Sequence, residues 1–235
     1  MTGILAIETA TDACSVAVFV DGQIRDRHEI APRQHSQRFF TMLSELLSDG
    51  NLADQGIEAI AYGCGPGSFT GLRIAASAVQ GLAYSSKLPA IPVSTLAVIA
   101  QSALRQGEVR ADDTVLCTLD ARINEVYSAI YGYENNLAVL REGPWAGAPA
   151  DLSPLESGTL CVVGSGCQFL HQFPQALRER IRSTAPDLLP VARDIVPLAL
   201  TKLRRGEILS PARAQPVYVR DEISWKKLPQ QGRPL

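Results

Sequence analysis

The stretch Gly65-Pro66-Gly67-Ser68-Phe69-Thr70-Gly71-Leu72-Arg73 decides the fold, because it joins an apolar strand to an alanine-rich helix. Its glycines let backbone N–H groups converge without a Cβ in the way, and Ser68 or Thr70 can cap the helix. The positive end of such a helix suits an anion, which is typical of a phosphate-binding loop. A tight strand-to-helix turn without a ligand needs the same glycines, so the loop alone leaves both interpretations open.

Outward from this loop, the first half of the chain alternates short apolar runs with helical patterns. Alternation and apolar runs predict strands at 4–7, 15–20, 23–29, 59–64 and 90–93. Asp21-Gly22 is a strong hairpin turn between the second and third strands. Helical spacing predicts one helix that Ser36 caps and a second over 72–84. The order β-β-β-α-β-α-β is that of a ribonuclease H-like lobe.

The second half shows a weaker version of the same order. We predict strands at 115–119, 126–131, 137–140, 160–163 and 217–219, helices at 169–182 and 195–205, and a glycine turn at 164–166. The predicted fold is therefore α/β and two-lobed, of the actin-like or sugar-kinase-like ATPase (ribonuclease H-like) class, with a mixed sheet flanked by helices in each lobe. Residues 1–100 would form the first lobe, and residues 101–235 the second, with a C-terminal helix and a tail packing back on the first lobe.

Composition limits the classes of function. The chain has 235 residues, 46% of them hydrophobic and 20% charged, as in ordinary globular proteins. A net charge of -2 provides no general field for holding RNA or an anionic membrane. The N-terminus carries no secretory signal and no apolar run is long enough for a membrane span, so we expect a cytoplasmic protein.

Metal and disulfide sites are not expected. The five cysteines form no C-x-x-C pair, and most lie in or beside apolar runs, which predicts buried free thiols. The three histidines have no metal-binding spacing. The cysteines are Cys14, Cys64, Cys117, Cys161 and Cys167, and the histidines are His28, His35 and His171.

The residues also predict no catalytic group. A ribonuclease H-type nuclease needs converging carboxylates, and Glu8 and Glu45 could supply only two of them because the fourth strand carries none. Neither Ser68 nor Ser165 lies in the G-x-S-x-G pattern of a nucleophilic serine. A dispersed triad stays open as a peptidase hypothesis.

A weak nucleotide site is the second open hypothesis. In actin-like folds the turn after the first strand approaches nucleotide phosphates, and here that turn carries Thr9 and Thr11. With Gly65, Gly67 and Ser68 of the glycine loop, these residues are the candidates for weak ATP or ADP binding. The same hydroxyls commonly satisfy the backbone of their own turn instead.

A partner surface is predicted on the first two helices. The first helix has a wider apolar surface than one core-facing stripe needs, and we expect Phe40 and Met42 to point away from a stripe of Phe39, Leu43 and Leu46. The second helix carries small residues that allow close approach. The candidate interface residues are Phe39, Phe40, Leu43, Leu47, Gly71, Ala75, Ala78 and Leu82.

Several separated motifs, in one order from end to end, resemble the TsaB family of bacteria. They are the segments at 4–12, 32–38 and 65–73, Asp120-Ala121-Arg122 with Glu125-Val126-Tyr127, and the segments at 216–220 and 225–229. The resemblance implies a part in making N6-threonylcarbamoyladenosine (t6A) at position 37 of tRNAs that read codons starting with adenine. Such proteins are dimerisation subunits that pair with themselves and with the paralogous transferase TsaD, alongside TsaE, and would meet tRNA through that complex.

The resemblance also implies a non-catalytic member that needs no cofactor and holds no metal. TsaD-like chains carry a metal-binding H-x-x-x-H pair just after the strand that here ends at Val93, whereas this chain has only apolar and hydroxyl residues over 93–99. An actin-like ATPase or kinase, and a peptidase acting on TsaD, are the alternatives. Trp225-Lys226-Lys227 could stack on a base or pack on the first lobe, and we favour packing.

Overall fold

The chain forms two five-stranded sheets with helices on both faces. The computed structural model describes residues 2–153 and 158–219. The strands are β1 (Ile4–Glu8), β2 (Ala13–Val20), β3 (Gln23–Ile30), β4 (Ala59–Gly65), β5 (Ala90–Ser94), β6 (Thr114–Arg122), β7 (Glu125–Glu134), β8 (Leu137–Gly147), β9 (Leu160–Val163) and β10 (Ile181–Ala185). The α-helices are α1 (His35–Leu46), α2 (Phe69–Ser86), α3 (Thr95–Gln106), α4 (Gln175–Arg178) and α5 (Ala192–Arg204).

The two sheets have the same topology. The first has the order β3-β2-β1-β4-β5 and the second the order β8-β7-β6-β9-β10. In each, the first three strands along the chain pair antiparallel and the last two add in parallel. The predicted two-lobed, ribonuclease H-like architecture is therefore confirmed, and the repeated order of elements reflects a repeated sheet.

Tight hairpins fix the register of the antiparallel strands. Asp21 and Gly22 both have positive φ, 53° and 78°, and the strands pair directly on either side of them. Asn135 and Asn136, at 51° and 61°, make the corresponding turn between β7 and β8. Two positive φ angles match the right-handed twist of the strands, and Asn, Asp and Gly adopt them most readily.

The helix that follows each sheet packs on the other sheet. α5 covers one face of the first sheet, where Ile195 and Ala199 join a core with Ile4 and Ala61. α3 packs chiefly on the second sheet, and Leu96 is one of its buried residues there. We call these two faces the inner faces, because α3 and α5 also contact each other between the lobes.

Buried Asp194 of α5 ties these two helices together. Its carboxylate accepts hydrogen bonds from Ser102 Oγ at 2.7 Å and from Arg105 Nε at 2.6 Å and Nη2 at 2.9 Å, both residues of α3. The Asp194 side chain is only 3% exposed and that of Arg105 39%. A carboxylate is stable in such a place only when it is paired, so the contact fixes how the lobes meet.

The outer faces of the two sheets are covered differently. α1 and α2 lie on the first sheet and bury a large cluster that includes Phe39, Tyr62 and Val79. The second sheet is covered by a 3₁₀ helix, Ser165–Gln172, and by the four-residue α4, with a smaller cluster around Phe173.

Several sequence predictions differ from the structure in the second half of the chain. The predicted helix at 169–182 is instead a 3₁₀ helix, the short α4 and the strand β10, because Pro174 holds the preceding Phe173 in an extended conformation. The predicted strand at 217–219 is absent, since within the described residues its backbone makes a single hydrogen bond to other backbone, from Val217 N to Cys64 O at 2.7 Å, and no ladder. α3 was not predicted at all, and the proposed lobe boundary after residue 100 falls inside it.

Two details of α1 also differ. The helix begins at His35 without a side-chain cap, so the predicted Ser36 cap is wrong. His35 instead reaches back with Nε2 to Thr11 O at 2.8 Å and anchors the helix start. Met42, expected to face outward, is 1% exposed, because the core stripe runs through His35, Phe39, Met42 and Leu46.

The five cysteines are free and buried, as predicted. The predicted tail, including Trp225-Lys226-Lys227, lies outside the described residues. Up to that point the chain follows the first lobe, where Ala214 O accepts from Gln80 Nε2 at 2.7 Å and Gln215 O accepts from Tyr62 Oη at 3.0 Å.

Candidate partner-binding site and glycine loop

The glycine loop packs directly on the turn that follows β1. Ser68 N donates to Ala10 O at 2.7 Å, and Thr9 Oγ1 donates to Gly71 O at 2.8 Å. A Cβ at Gly71 would lie 1.9 Å from Thr9 O, and one at Gly67 would lie 2.4 Å from Ala10 O. These glycines therefore allow two segments of backbone to touch.

The other candidate nucleotide residues also have partners within the chain. Ser68 caps α2 as predicted, its Oγ accepting from Gly71 N at 3.4 Å. Thr11 Oγ1 accepts from Ala13 N at 3.3 Å. Gly65 has a φ of +121°, and a Cβ there would lie 2.6 Å from Val217 O. The fold alone accounts for these residue types, and their binding of nucleotide stays a prediction.

A glycine turn in the second lobe likewise packs against the backbone of β6. Gly164 has a φ of +93°, and a Cβ there would lie 2.3 Å from Thr118 O. Ser165 Oγ accepts a hydrogen bond from Asp120 N at 3.1 Å. In both lobes a glycine therefore allows close backbone contact with the first strand or with the turn that follows it.

Glu8, at the end of β1, is a buried carboxyl group. Its Oε1 accepts from Ala10 N at 2.7 Å, whereas Oε2 has no hydrogen-bond partner among the described residues. Gly63 makes room for it, since a Cβ there would lie 1.9 Å from Oε2. Burial raises the pKa of Glu8 to about 7. Glu45 does not join it, because that side chain is exposed on α1 and pairs with Arg27 at 2.7 Å.

The eight candidate interface residues divide by burial. Phe39, Leu47, Gly71 and Ala75 are buried in the core of the first lobe, so they are not available at the surface. Leu43, Ala78 and Leu82 are half-buried at its edge. Phe40 is 61% exposed and meets the Phe39 ring edge-on, with centroids 5.0 Å apart. The accessible part of the predicted surface is thus Phe40 with the flanks of α1 and α2.

An exposed aromatic cluster lies at the start of α2. Phe69 is 54% and Tyr218 48% exposed, and their ring centroids are 5.9 Å apart. The Arg73 guanidinium lies 3.7 Å from the centre of the Phe69 ring, and its Nε donates to Tyr218 Oη at 3.3 Å. In the sequence, Phe69 stands out only as part of the glycine loop. Three residues before buried Leu72, it lies by spacing at the edge of the apolar stripe of α2, so no local signal marked it as exposed.

The segment at 93–99 runs from the end of β5 into α3. Val93, Leu96, Val98 and Ile99 are buried in the inner cores. Across residues 2–153 and 158–219, no three His, Cys, Asp or Glu side chains lie close enough to hold a metal ion. None of the helices in this part of the chain has the length and apolar character that crossing a bilayer requires.

Several known proteins with similar sequences are named for the synthesis of tRNA threonylcarbamoyladenosine. The family model "TsaD: tRNA N6-adenosine threonylcarbamoyltransferase" matches residues 28–143. The Escherichia coli K12 protein named "tRNA threonylcarbamoyladenosine biosynthesis protein TsaB" is 40% identical over 96% of this chain and 98% of its own length. The Haemophilus influenzae protein of the same name is 34% identical over 96% of this chain and 97% of its own length.

A solved structure shares the fold over nearly the whole chain. YeaZ from Pseudomonas aeruginosa is 34% identical, with a TM-score of 0.83 over 93% of this chain and 100% of that chain. Sequence identity and structural similarity that extend across both lobes are specific evidence for membership of one family. This chain belongs to the TsaB family and has a role in the biosynthesis of tRNA threonylcarbamoyladenosine.

Proposed function

We propose that this chain is the non-catalytic assembly subunit of t6A synthesis in the cytoplasm. It forms a homodimer and, through the same surface, a heterodimer with a TsaD-family transferase. That heterodimer works with TsaE, and the transferase places the threonylcarbamoyl group on adenosine 37 of tRNAs that read ANN codons. This subunit meets tRNA only through the complex.

The observation that carries this proposal is the exposed apolar side of α1 and α2. Phe40 projects from α1, and Leu43, Ala78 and Leu82 line the two helices beside it. Large apolar side chains on a helical surface are typical of protein interfaces, whose centres are enriched in aromatic residues.

The match to the TsaD-family model supports a shared surface. That match includes the whole of α1 and α2. A transferase with the same helices can present the same kind of face, so a surface that is self-complementary in a homodimer also suits the paralogue. The two dimers would then compete for one face.

The sequence at the start of α3 supports the non-catalytic assignment. The resemblance places a metal-binding histidine pair in this window of TsaD-like chains, whereas here the window runs from Val93 to Ile99 with only apolar and hydroxyl side chains. Such side chains cannot replace two imidazoles as ligands of a transition metal. The chain therefore supports the transferase without carrying out the transfer.

Substitutions on this face test the proposal. We expect F40D and A78D each to weaken co-purification with the cognate TsaD-family transferase by about tenfold or more, because a buried unpaired carboxylate is costly at an interface. I123D is the matched control, since Ile123 is 80% exposed in the β6–β7 turn of the second lobe. Affinity is measured by titration calorimetry and folding by thermal unfolding.

Two results would contradict the proposal. The first is unchanged transferase binding by F40D and A78D when both variants fold as the parent does. The second is robust threonylcarbamoyl transfer by the purified chain alone, supplied with metal, tRNA and the threonylcarbamoyl-adenylate donor. The first result would reject the face, and the second would reject the non-catalytic role.

A further inference from the structure

A small pocket opens on the second lobe, beside the outer edge of its sheet. It lies between the ends of β7 and β8 and the 3₁₀ helix Pro149–Asp151, and its volume is about 200 Å³. Ser128, Trp145, Asp151 and Leu152 are among the residues that line it. None of the lining residues belongs to α1 or α2, so the pocket is separate from the proposed partner surface.

A buried hydroxyl at this pocket has no partner. Ser128 is 1% exposed, and its Oγ makes no hydrogen bond within the described parts of the chain. It lies on β7 directly opposite Trp145 of β8. Buried polar groups are nearly always paired, so an unpaired one that lines a cavity indicates a ligand or an ordered water.

The remaining polar and aromatic groups of the pocket favour a cation. Trp145 is 39% exposed, so part of its ring is open to a ligand. Asp151 is exposed and, within the ranges the structure describes, no ion pair occupies its carboxylate. An indole face attracts cations, and a carboxylate accepts their N–H groups. Ala146, Ala148 and Leu152 complete an apolar wall for the carbon atoms of such a ligand.

We propose that this pocket binds an alkylammonium or guanidinium cation, with the charged group held by Asp151 and the indole of Trp145 and donating a hydrogen bond to Ser128 Oγ, and with its carbon chain along the apolar wall. A volume of about 200 Å³ is below the range of typical cofactor sites, about 300–1,000 Å³, so the ligand is one amine or one basic side chain. A free amine and a lysine or arginine side chain of another protein share this chemistry.

Tryptophan fluorescence of the full chain tests the pocket. W225F leaves Trp145 as the sole tryptophan of the two in the sequence. We expect n-butylammonium to change its emission in a saturable way at constant ionic strength, whereas neutral n-butanol does not. In the same background, D151N should weaken binding about tenfold and S128A about threefold, through lost hydrogen bonds to a charged group. D49N, an exposed carboxylate outside the pocket, should leave the affinity unchanged.

A second titration separates the two sources of the ligand. Tighter binding of the peptide acetyl-Gly-Lys-Gly-amide than of n-butylammonium supports a protein side chain, and the reverse supports a free amine. The proposal is overturned if neither probe gives a saturable change, if n-butanol gives the same change, or if D151N binds as D49N does. Unchanged affinity in S128A would assign the hydroxyl to a water molecule and overturn its role. Thermal unfolding of every variant verifies that the fold is intact.

Discussion

The two lobes contain sheets of the same topology but differ in what covers the outer face of each sheet. Both sheets have the same strand order, and in both lobes glycines allow close backbone contact with the first strand or the turn after it. The first lobe then adds the long helices α1 and α2, whereas the second adds a 3₁₀ helix and one turn of α4. The comparison indicates that the two sheets, with α3 and α5 between them, determine the fold. The elements that cover the outer faces can differ between the lobes and give each lobe a different surface.

The largest expected effect concerns the close backbone contacts that glycines make in both lobes. G71A would place a Cβ 1.9 Å from Thr9 O, where the start of α2 and the turn after β1 cannot separate without losing their contact. We expect the free energy of unfolding to fall by about 4 kcal/mol. G164A, which meets Thr118 O at 2.3 Å with a φ of +93°, should cost a similar amount. Urea denaturation measures both.

Gly81 provides the matched control within α2. It is exposed, and a Cβ there would meet no atom within 4 Å. G81A should therefore raise stability by about 0.5–1 kcal/mol through better helix propensity. If G71A and G164A change the free energy of unfolding by no more than G81A does, close backbone contact at these two glycines does not matter for stability.

The next expected effect is a pH-dependent change in stability that only the first lobe contributes. The first strand of the first lobe ends in Glu8, whereas Thr118 lies beside the glycine turn of the second. The pKa of Glu8 is about 7 in the folded chain, against 4.5 for an ordinary glutamate carboxyl group, so folding stabilises its protonated form. That contribution is complete below pH 4.5, is lost as pH rises, and is gone above pH 7.

E8Q removes this loss because glutamine does not ionise. We expect E8Q to exceed the parent in unfolding free energy by up to about 3 kcal/mol at pH 8, and the difference to shrink toward pH 5. Urea denaturation at the two pH values measures it. The comparison fails if E45Q, which changes an exposed carboxylate, gives an equal pH-dependent gain.

A smaller effect is expected where the lobes join. D194A leaves Ser102 Oγ and Arg105 of α3 without their shared acceptor. Because the Arg105 side chain is 39% exposed and can return to water, we expect a loss of about 2 kcal/mol. Hydrogen exchange should then show that amides in β1 and β6 lose protection together. Loss confined to one sheet would contradict the joint role of α3 and α5.

Much of the first lobe could be predicted from its sequence. Two-residue turns, apolar strands and the serine-capped glycine loop are local signals, and Asp21-Gly22 alone sets a register. The repeated topology of the second lobe was visible as element order. The long helix at 169–182 was wrong because apolar spacing continued across Pro174, and the proline's effect on Phe173 outweighed it.

The sites were harder to predict because they depend on contacts between distant segments. Spacing alone does not choose between Met42 and Leu43 as the core residue of α1, and the underlying sheet decides for Met42. Whether the glycines bind a phosphate or contact another part of the backbone depends on Thr9 and Ala10, which lie far from the loop in sequence. No local sequence signal shows that the Ser128 hydroxyl lacks a hydrogen bond, because its surroundings are set by the pairing of β7 with β8, which places it opposite Trp145.

Because α3 packs chiefly on the second sheet and α5 packs on the first, each half of the chain depends on the other. A fragment that stops after α3 would leave the inner face of its sheet without α5, and the apolar side of α3 without β6 and β9. A fragment that starts at β6 would carry α5 with no sheet to cover. We therefore expect neither half to fold stably alone, and a break in the loop between them would leave two fragments that complete their cores only by associating.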